Sequence, residues 1–233
     1  MNSYIDYANL DKNATLRDIE NLCDEAMQKH YASVYVYPYY IALAHNLLKN
    51  STVQVATVIN GLNTKAVKVY EAIDAIENGA DEIDLIINIS AVKNKDYDYV
   101  KEEIEEVRDA IDGKTITLLI DSNLLTKEEI IKVVEICNET YINFIKINNS
   151  NIDIINLINN HKNEILEISV RNTNPKEDID KLISFGVSRI EITQNNKYSS
   201  NKTCECGCMQ GNECNCEGDC HCEECKCTKD GCE

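Results

Sequence analysis

The chain has 233 residues, enough for one large domain with a substantial core, and its 40 Asp and Glu residues outnumber 23 Lys and Arg residues. The resulting formal net charge of −17 excludes nucleic acid or an anionic membrane as the main partner, because both need basic patches. No long apolar run occurs, and Met1 to Leu10 lacks the basic start and apolar middle of a secretory leader, so a soluble, cytoplasmic protein is expected.

From residue 4 to about 194, short apolar runs alternate with longer amphipathic segments, the pattern of βα units on a parallel sheet. The runs predict strands at 4–8, 33–37, 52–59, 82–88, 115–121, 143–147, 165–170 and 188–194, with seven helices between them. Thr15-x-x-Asp18 and Thr126-x-x-Glu129 have the form of capping boxes, and Asn174-Pro175 supplies a cap followed by Pro at the first helical position. Gly79 and Gly186 each stand between a helix and a strand, where a left-handed residue ends the helix. Such units close most naturally into a (β/α)8 barrel, and an open doubly wound sheet, built from the same local units, is the alternative.

After the last strand the chain enters Asn195-Asn196-Lys197-Tyr198-Ser199-Ser200-Asn201, and nothing beyond it has the pattern of an amphipathic helix. The reading is therefore a TIM barrel lacking its last helix over 1–194, a linker at 195–203, and a Cys-rich tail without regular secondary structure at 204–233. The groove left by the absent helix invites a second copy of the chain, as in a homodimer, or the tail itself.

Lys146 lies in Asn143-Phe144-Ile145-Lys146-Ile147-Asn148, which reads as a buried strand. Desolvation disfavours an ammonium, and a neutral amine attacks carbonyls to form Schiff bases, so a catalytic amine is one reading. A lysine whose stem lies along apolar surface is the other. In a barrel, side chains at strand C-termini converge on one mouth, which would gather Asp6, Asp84, Asp121, Lys146 and Arg171. Such a gathering marks either a functional site or an internal ion-pair network.

The segment Ala80-Asp81-Glu82-Ile83-Asp84-Leu85-Ile86-Ile87-Asn88, with Phe144-Ile145-Lys146, Ile5-Asp6 and Ala32-Ser33-Val34-Tyr35-Val36-Tyr37-Pro38, resembles the deoxyribose-phosphate aldolase family in order and spacing over roughly 4–194. That family is a barrel of class I aldolases that cleave 2-deoxyribose 5-phosphate to glyceraldehyde 3-phosphate and acetaldehyde without a cofactor. The resemblance implies that Lys146 is the Schiff-base lysine, that Asp84 works with it in proton transfer, and that Asp6 is the aspartate of the opening strand.

The chain also departs from the family. A second lysine followed by Ala/Pro-Gly-Gly is here Arg171-Asn172-Thr173-Asn174. Arginine keeps a positive charge able to lower the Lys146 pKa, but it does not give up a proton at working pH. The Gly/Ser-rich loop after the last strand, which presents backbone N–H groups to phosphate, reads Thr193-Gln194-Asn195-Asn196. Ile147-Asn148-Asn149-Ser150 replaces Thr-Ser-Thr-Gly, Asn60-Gly61-Leu62 replaces a Gly-Phe-Pro turn, and Asp121 replaces a glutamate. Two outcomes stand: an aldolase acting on a sugar phosphate or related aldehyde substrate with an altered phosphate site, or a barrel without turnover that carries a metal-buffering tail.

Ten of the twelve cysteines fall in that tail: Cys204, Cys206, Cys208, Cys214, Cys216, Cys220, Cys222, Cys225, Cys227 and Cys232. The Cys-x-Cys spacing and near absence of apolar residues resemble metallothioneins. Neighbouring thiolates bridge soft ions, so zinc, cadmium or copper(I) is the expected occupant, with His221 as a further donor. A disulfide-stapled module is the alternative, disfavoured in a reducing compartment. Cys23 and Cys137 read as small buried hydrophobes. His30, His45 and His161 read as ordinary helix residues, and Tyr35, Tyr37, Tyr39 and Tyr40 as packing or barrel-lining side chains.

Overall fold

The alternation read from the sequence closes in space. In the computed structural model, β1 (Ile5–Asn9), β2 (Ser33–Val36), β3 (Gln54–Ile59), β4 (Glu82–Ile86), β5 (Thr115–Ile120), β6 (Phe144–Ile147), β7 (Glu167–Arg171) and β8 (Val187–Thr193) form a closed barrel in chain order. All neighbours are parallel, and β8 returns to β1 with Ile5 opposite Ile190 and Asp6 opposite Glu191. The structure describes residues 3–171 and 179–194, with the backbone alone at 227–228 and 231–232.

The crossovers are α1 (Leu16–Lys29), α2 (Ile41–Leu48), α3 (Lys65–Glu77), α4 (Ile89–Lys93) with α5 (Tyr97–Ala110), α6 (Lys127–Thr140), α7 (Ile152–Asn159) and α8 (Ile179–Ser184). Both capping boxes form: Thr15 with Asp18 opens α1, and Thr126 with Glu129 opens α6. Gly79 leaves α3 at φ +103, and a Cβ there would lie 2.5 Å from Cγ of His45, so glycine answers both the backbone angle and the close approach. At α1 and α6 a non-glycine residue takes the left-handed turn that ends the helix, His30 (φ 54) after α1 and Tyr141 (φ 53) after α6.

The apolar core lies between the barrel wall and the helices. Outward strand residues such as Ile83, Leu85, Ile145 and Ile168 pack with Ile19, Leu22, Ile104, Val133 and Val134. Cys23 and Cys137 are buried free thiols within it, and burial pushes the Cys23 thiol up to about 12, where it is inert. The barrel interior differs in kind. Ala8, Tyr35 and Ala56, with Val58 against them, form a small separate apolar cluster, and the other inward positions are largely charged or polar.

Contacts divide the chain into two units, Met1–Asn196 and Lys197–Glu233. In the second, β9 (Cys227–Thr228) pairs antiparallel with β10 (Gly231–Cys232). The expected Asn174-Pro175 helix start, the linker, any helix after β8, and the tail's cysteine side chains with His221 lie outside the described residues.

Candidate active site

Alternate strands of such a barrel contribute inward side chains at a common height. The even strands β2, β4, β6 and β8 place Tyr35, Asp84, Lys146 and Glu191 in one layer, and these four meet. Lys146 Nζ donates to Asp84 Oδ2 at 2.7 Å and to Glu191 Oε2 at 3.1 Å. Tyr35 OH donates to Asp84 Oδ1 at 2.9 Å, and its ring centroid lies 3.8 Å from Nζ, a close cation–π contact. Arg171, at the end of β7 and 27% exposed, donates through Nε to Glu191 Oε1 at 2.6 Å. The other members of the group are sealed from solvent, the Lys146 side chain at 0% exposure.

These contacts overturn one expectation. Desolvation does pull the Lys146 pKa down, but the charges of Asp84 and Glu191 more than offset it, and the amine is held as ammonium more firmly than an ordinary lysine. Arg171 does not lower it by direct contact, because its guanidinium is engaged by Glu191. The two carboxylates diverge. Desolvation lifts Asp84 above the usual carboxylate range against the pull of Lys146, whereas Lys146 and Arg171 together outweigh desolvation at Glu191 and hold it below. Desolvation and the neighbouring Asp84 charge push the Tyr35 phenol well above its usual value, so it stays a donor.

Asp6 sits elsewhere than expected. Two residues earlier on the even strands are Ser33, Glu82, Phe144 and Arg189, and Asp6 joins that lower layer. Arg189 Nε donates to Asp6 Oδ1 at 2.8 Å and Nη2 to Glu82 Oε2 at 3.1 Å, while Ser33 Oγ donates to Asp6 Oδ1 at 2.7 Å. The ring of Phe144 lies 5.5 Å from the guanidinium carbon. Asp6 makes no contact with Lys146 and reaches it only as a more distant charge. Asp121 follows β5 and accepts from Asn148 Nδ2 at 2.7 Å, while Asn149 Nδ2 donates to Ser122 Oγ at 2.9 Å, so side chains tie the loops after β5 and β6 together.

Sequence reasoning therefore placed Lys146, Asp84 and Arg171 in one site but missed Glu191 and Arg189, and took Tyr35 for lining. Their signal was the alternation Arg189-Ile190-Glu191-Ile192 in β8, obscured by a register shift that skips Ser188 opposite β7. An open cleft of about 330 Å³ lies beside the mouth, at the ends of β3 and β4, lined by 60–62 and 86–90. Lys146 is not among its walls, and Gly61 packs there so tightly that a Cβ would fall 2.4 Å from Cγ2 of Ile86. Among the described residues no group of His, Cys, Asp and Glu is arranged to hold a metal.

Residues 3–154 match the model of the DeoC/LacD family aldolases. The deoxyribose-phosphate aldolase of Metamycoplasma hominis is 44% identical over 149 residues, covering 63% of this chain and 69% of that one. The deoxyribose-phosphate aldolase of Mycoplasma capricolum subsp. capricolum is 36% identical over 200 residues, covering 82% and 90%. Among solved structures, QR15, an aldolase, superposes with a TM-score of 0.76 at 30% identity over 82% of this chain and 90% of that one.

Proposed function

The chain belongs to the DeoC/LacD aldolase family and is an aldehyde-lyase of the deoxyribose-phosphate aldolase kind, and from that premise we propose that Lys146 is its Schiff-base nucleophile and Asp84 its proton-transfer partner. The observation that carries the proposal is the sealed Lys146–Asp84 contact at 2.7 Å, a nucleophile and a base within reach of one another inside the barrel. A proton passing from Nζ to Asp84 frees the amine lone pair, and the lifted pKa of Asp84 eases that transfer. The amine then adds to the carbonyl carbon, and loss of water leaves an iminium. Asp84, ionised again once its proton has left in that water, takes the proton of the aldol's hydroxyl as the C–C bond breaks and delivers its electron pair into the iminium, giving an enamine and a free aldehyde. Protonation of the enamine carbon and hydrolysis release acetaldehyde and restore the lysine.

The proposed substrate is 2-deoxyribose 5-phosphate or a related aldol, and the chemistry calls for no cofactor. The altered phosphate site is supported by Gln194, whose side chain accepts from Asn9 Nδ2 at 2.7 Å at a place where the family carries small residues. Soft metal ions on the tail, zinc, cadmium or copper(I), are proposed on the Cys-x-Cys spacing alone. A second copy over the groove beyond β8 is proposed on the missing helical pattern. Residence in the cytoplasm is proposed on the reduced thiols such a tail requires. No helix among the described residues is long and apolar enough to cross a membrane.

The test is to incubate the protein with acetaldehyde, reduce with borohydride and map the added mass. A two-carbon adduct on the peptide carrying Lys146 is expected. Adducts spread over surface lysines, or none, would remove Lys146 from the role and leave metal binding by the tail as the activity to pursue.

A further inference from the structure

Lys146 touches two carboxylates, and the aldolase step assigned above uses one. The second is placed differently. Glu191 accepts from Lys146 on Oε2 and from Arg171 on Oε1, so both of its oxygens are committed to cations, whereas Asp84 shares itself between the ammonium and a neutral phenol.

We infer that Glu191 is a further catalytic residue, the fixed counter-ion of the Lys146 nitrogen from ammonium through iminium, and that Arg171 is the positioning residue that keeps it there. The inference rests on Lys146 being the Schiff-base nucleophile. Proton counting explains why two carboxylates are needed. The ammonium has three N–H bonds and the iminium has one. The two protons that leave depart as water on the carbonyl oxygen, one of them by way of Asp84, while a C–N bond forms and the C–O bond breaks. Nitrogen bears a unit positive charge at the start and at the end of this sequence, so a permanent negative partner suits both states. A carboxylate that shuttles protons cannot also be that partner throughout. Arg171 cannot take a proton from the cycle, and it holds Glu191 ionised through an ion pair in a largely desolvated setting.

The charged and titratable neighbours of the pair come from β1, β2, β4, β7 and β8. Tyr35 stands on β2, Asp84 on β4 and Arg171 on β7, and one layer down Asp6 and Glu82 are paired with Arg189. Inward from β3 and β5 come only the uncharged Ala56, Val58, Thr117 and Leu119. No other carboxylate touches Nζ among the described residues.

The experiment measures the rate of acetaldehyde adduct formation on Lys146, with cyanoborohydride as reductant, across pH in the full-length protein and in Glu191→Gln, Arg171→Gln and Arg171→Lys, alongside kcat and KM for cleavage of 2-deoxyribose 5-phosphate. Removing the Glu191 charge is expected to move the midpoint of the adduct curve to lower pH by about 1–3 pH units, because one of two charges favouring the ammonium is gone. It is also expected to lower kcat about tenfold or more, because the iminium has lost its partner. Arg171→Gln should move the midpoint the same way by a smaller amount, because Glu191 is no longer held ionised beside Nζ, and Arg171→Lys should return it toward wild type. A shifted midpoint that Arg171→Lys restores separates a counter-ion and its positioning residue from a merely structural pair, and since Arg171 is partly exposed its variants carry the test if Glu191→Gln does not fold. A Glu191→Gln protein with the wild-type midpoint and kcat, or an Arg171→Gln curve displaced to higher pH, overturns the inference while leaving Lys146 in place. Wild-type protein that forms no adduct on Lys146 overturns both.

Discussion

Among the described residues two lysines are fully sealed from solvent, and their settings differ in an instructive way. Lys146 lies in the barrel centre against Asp84 and Glu191, and Lys68 lies between α3 and α5, 2.8 Å from Glu103, with its ammonium also donating to the carbonyl of Ile86 at 3.0 Å. With one carboxylate, desolvation wins and the Lys68 pKa falls; with two, the charges win and the Lys146 pKa rises. A search for the lysine with the depressed pKa would choose Lys68. Yet Lys68 sits outside the barrel wall, and its bond to Ile86 fastens the end of the strand that carries Asp84. On the proposed assignment, a lowered resting pKa does not mark the nucleophile of this chain. What distinguishes Lys146 is a second acceptor, so that one carboxylate can take its proton while another still balances the charge.

The sharpest way to break the comparison is to remove each lysine in turn. Lys146→Met is expected to abolish the acetaldehyde adduct and turnover, a loss on the order of a thousandfold or more in kcat. Lys68→Met strands Glu103 in the protein interior and is expected to cost about 3–5 kcal/mol of stability in urea unfolding. Protein of that variant shown by circular dichroism to be folded should still form the adduct. A folded Lys68→Met protein that cannot be trapped would show that the wrong lysine has been made the nucleophile.

The lower layer offers a second contrast, because its cation is an arginine with no nucleophilic form. Burial pushes Glu82 up to about 7, with Arg189 pulling it down and Asp6 pushing it up. Its folded pKa thus lies above the unfolded value of 4.5. The native state binds this proton more tightly, so the contribution of Glu82 is most favourable below the unfolded value and declines as pH rises through the window from 4.5 to about 7. The full decline is about 3 kcal/mol. Urea unfolding from about pH 5 to pH 8 should show wild type losing stability relative to Glu82→Gln as pH rises. A flat difference would mean that Arg189 keeps Glu82 ionised throughout and that the layer is a settled ion pair.

Much of the barrel could be read from the chain because its signals are local. Strand runs, two capping boxes, Gly79 and Gly186 depend on neighbours within a turn or two, and each appears where it was expected. The helix ends at His30 and Tyr141 were not legible, since a non-glycine residue gives no notice of a left-handed backbone. The site divides in the same way. Lys146 and Asp84 stand out as charges in apolar runs, but Asp6 does too, and the sequence cannot say which layer it joins. That depends on register: Asp6 lies opposite Ser33 and Glu191 on its two sides, and Arg189 reaches it from β8. Glu191 was hidden by the skipped Ser188, which breaks the alternation that would have turned it inward on paper.

Tyr35 sets the finest difference between the two lysine sites. Asp84 accepts from a phenol as well as from its lysine, and it keeps Nζ beneath an aromatic face. Tyr35→Phe removes the phenol donor and leaves the ring. The stability cost is expected to be about 2 kcal/mol, the usual net worth of a hydrogen bond to a charged group. Losing a donor to its charged form makes Asp84 harder to ionise once it has taken the proton, so return of that proton to the departing oxygen slows, and kcat should fall by about tenfold with KM little changed. Unchanged kcat would make the phenol a packing element only. A loss as complete as that of Lys146→Met would mean instead that the phenol itself carries a proton in the cycle, and the division of labour between Asp84 and Glu191 would have to include it.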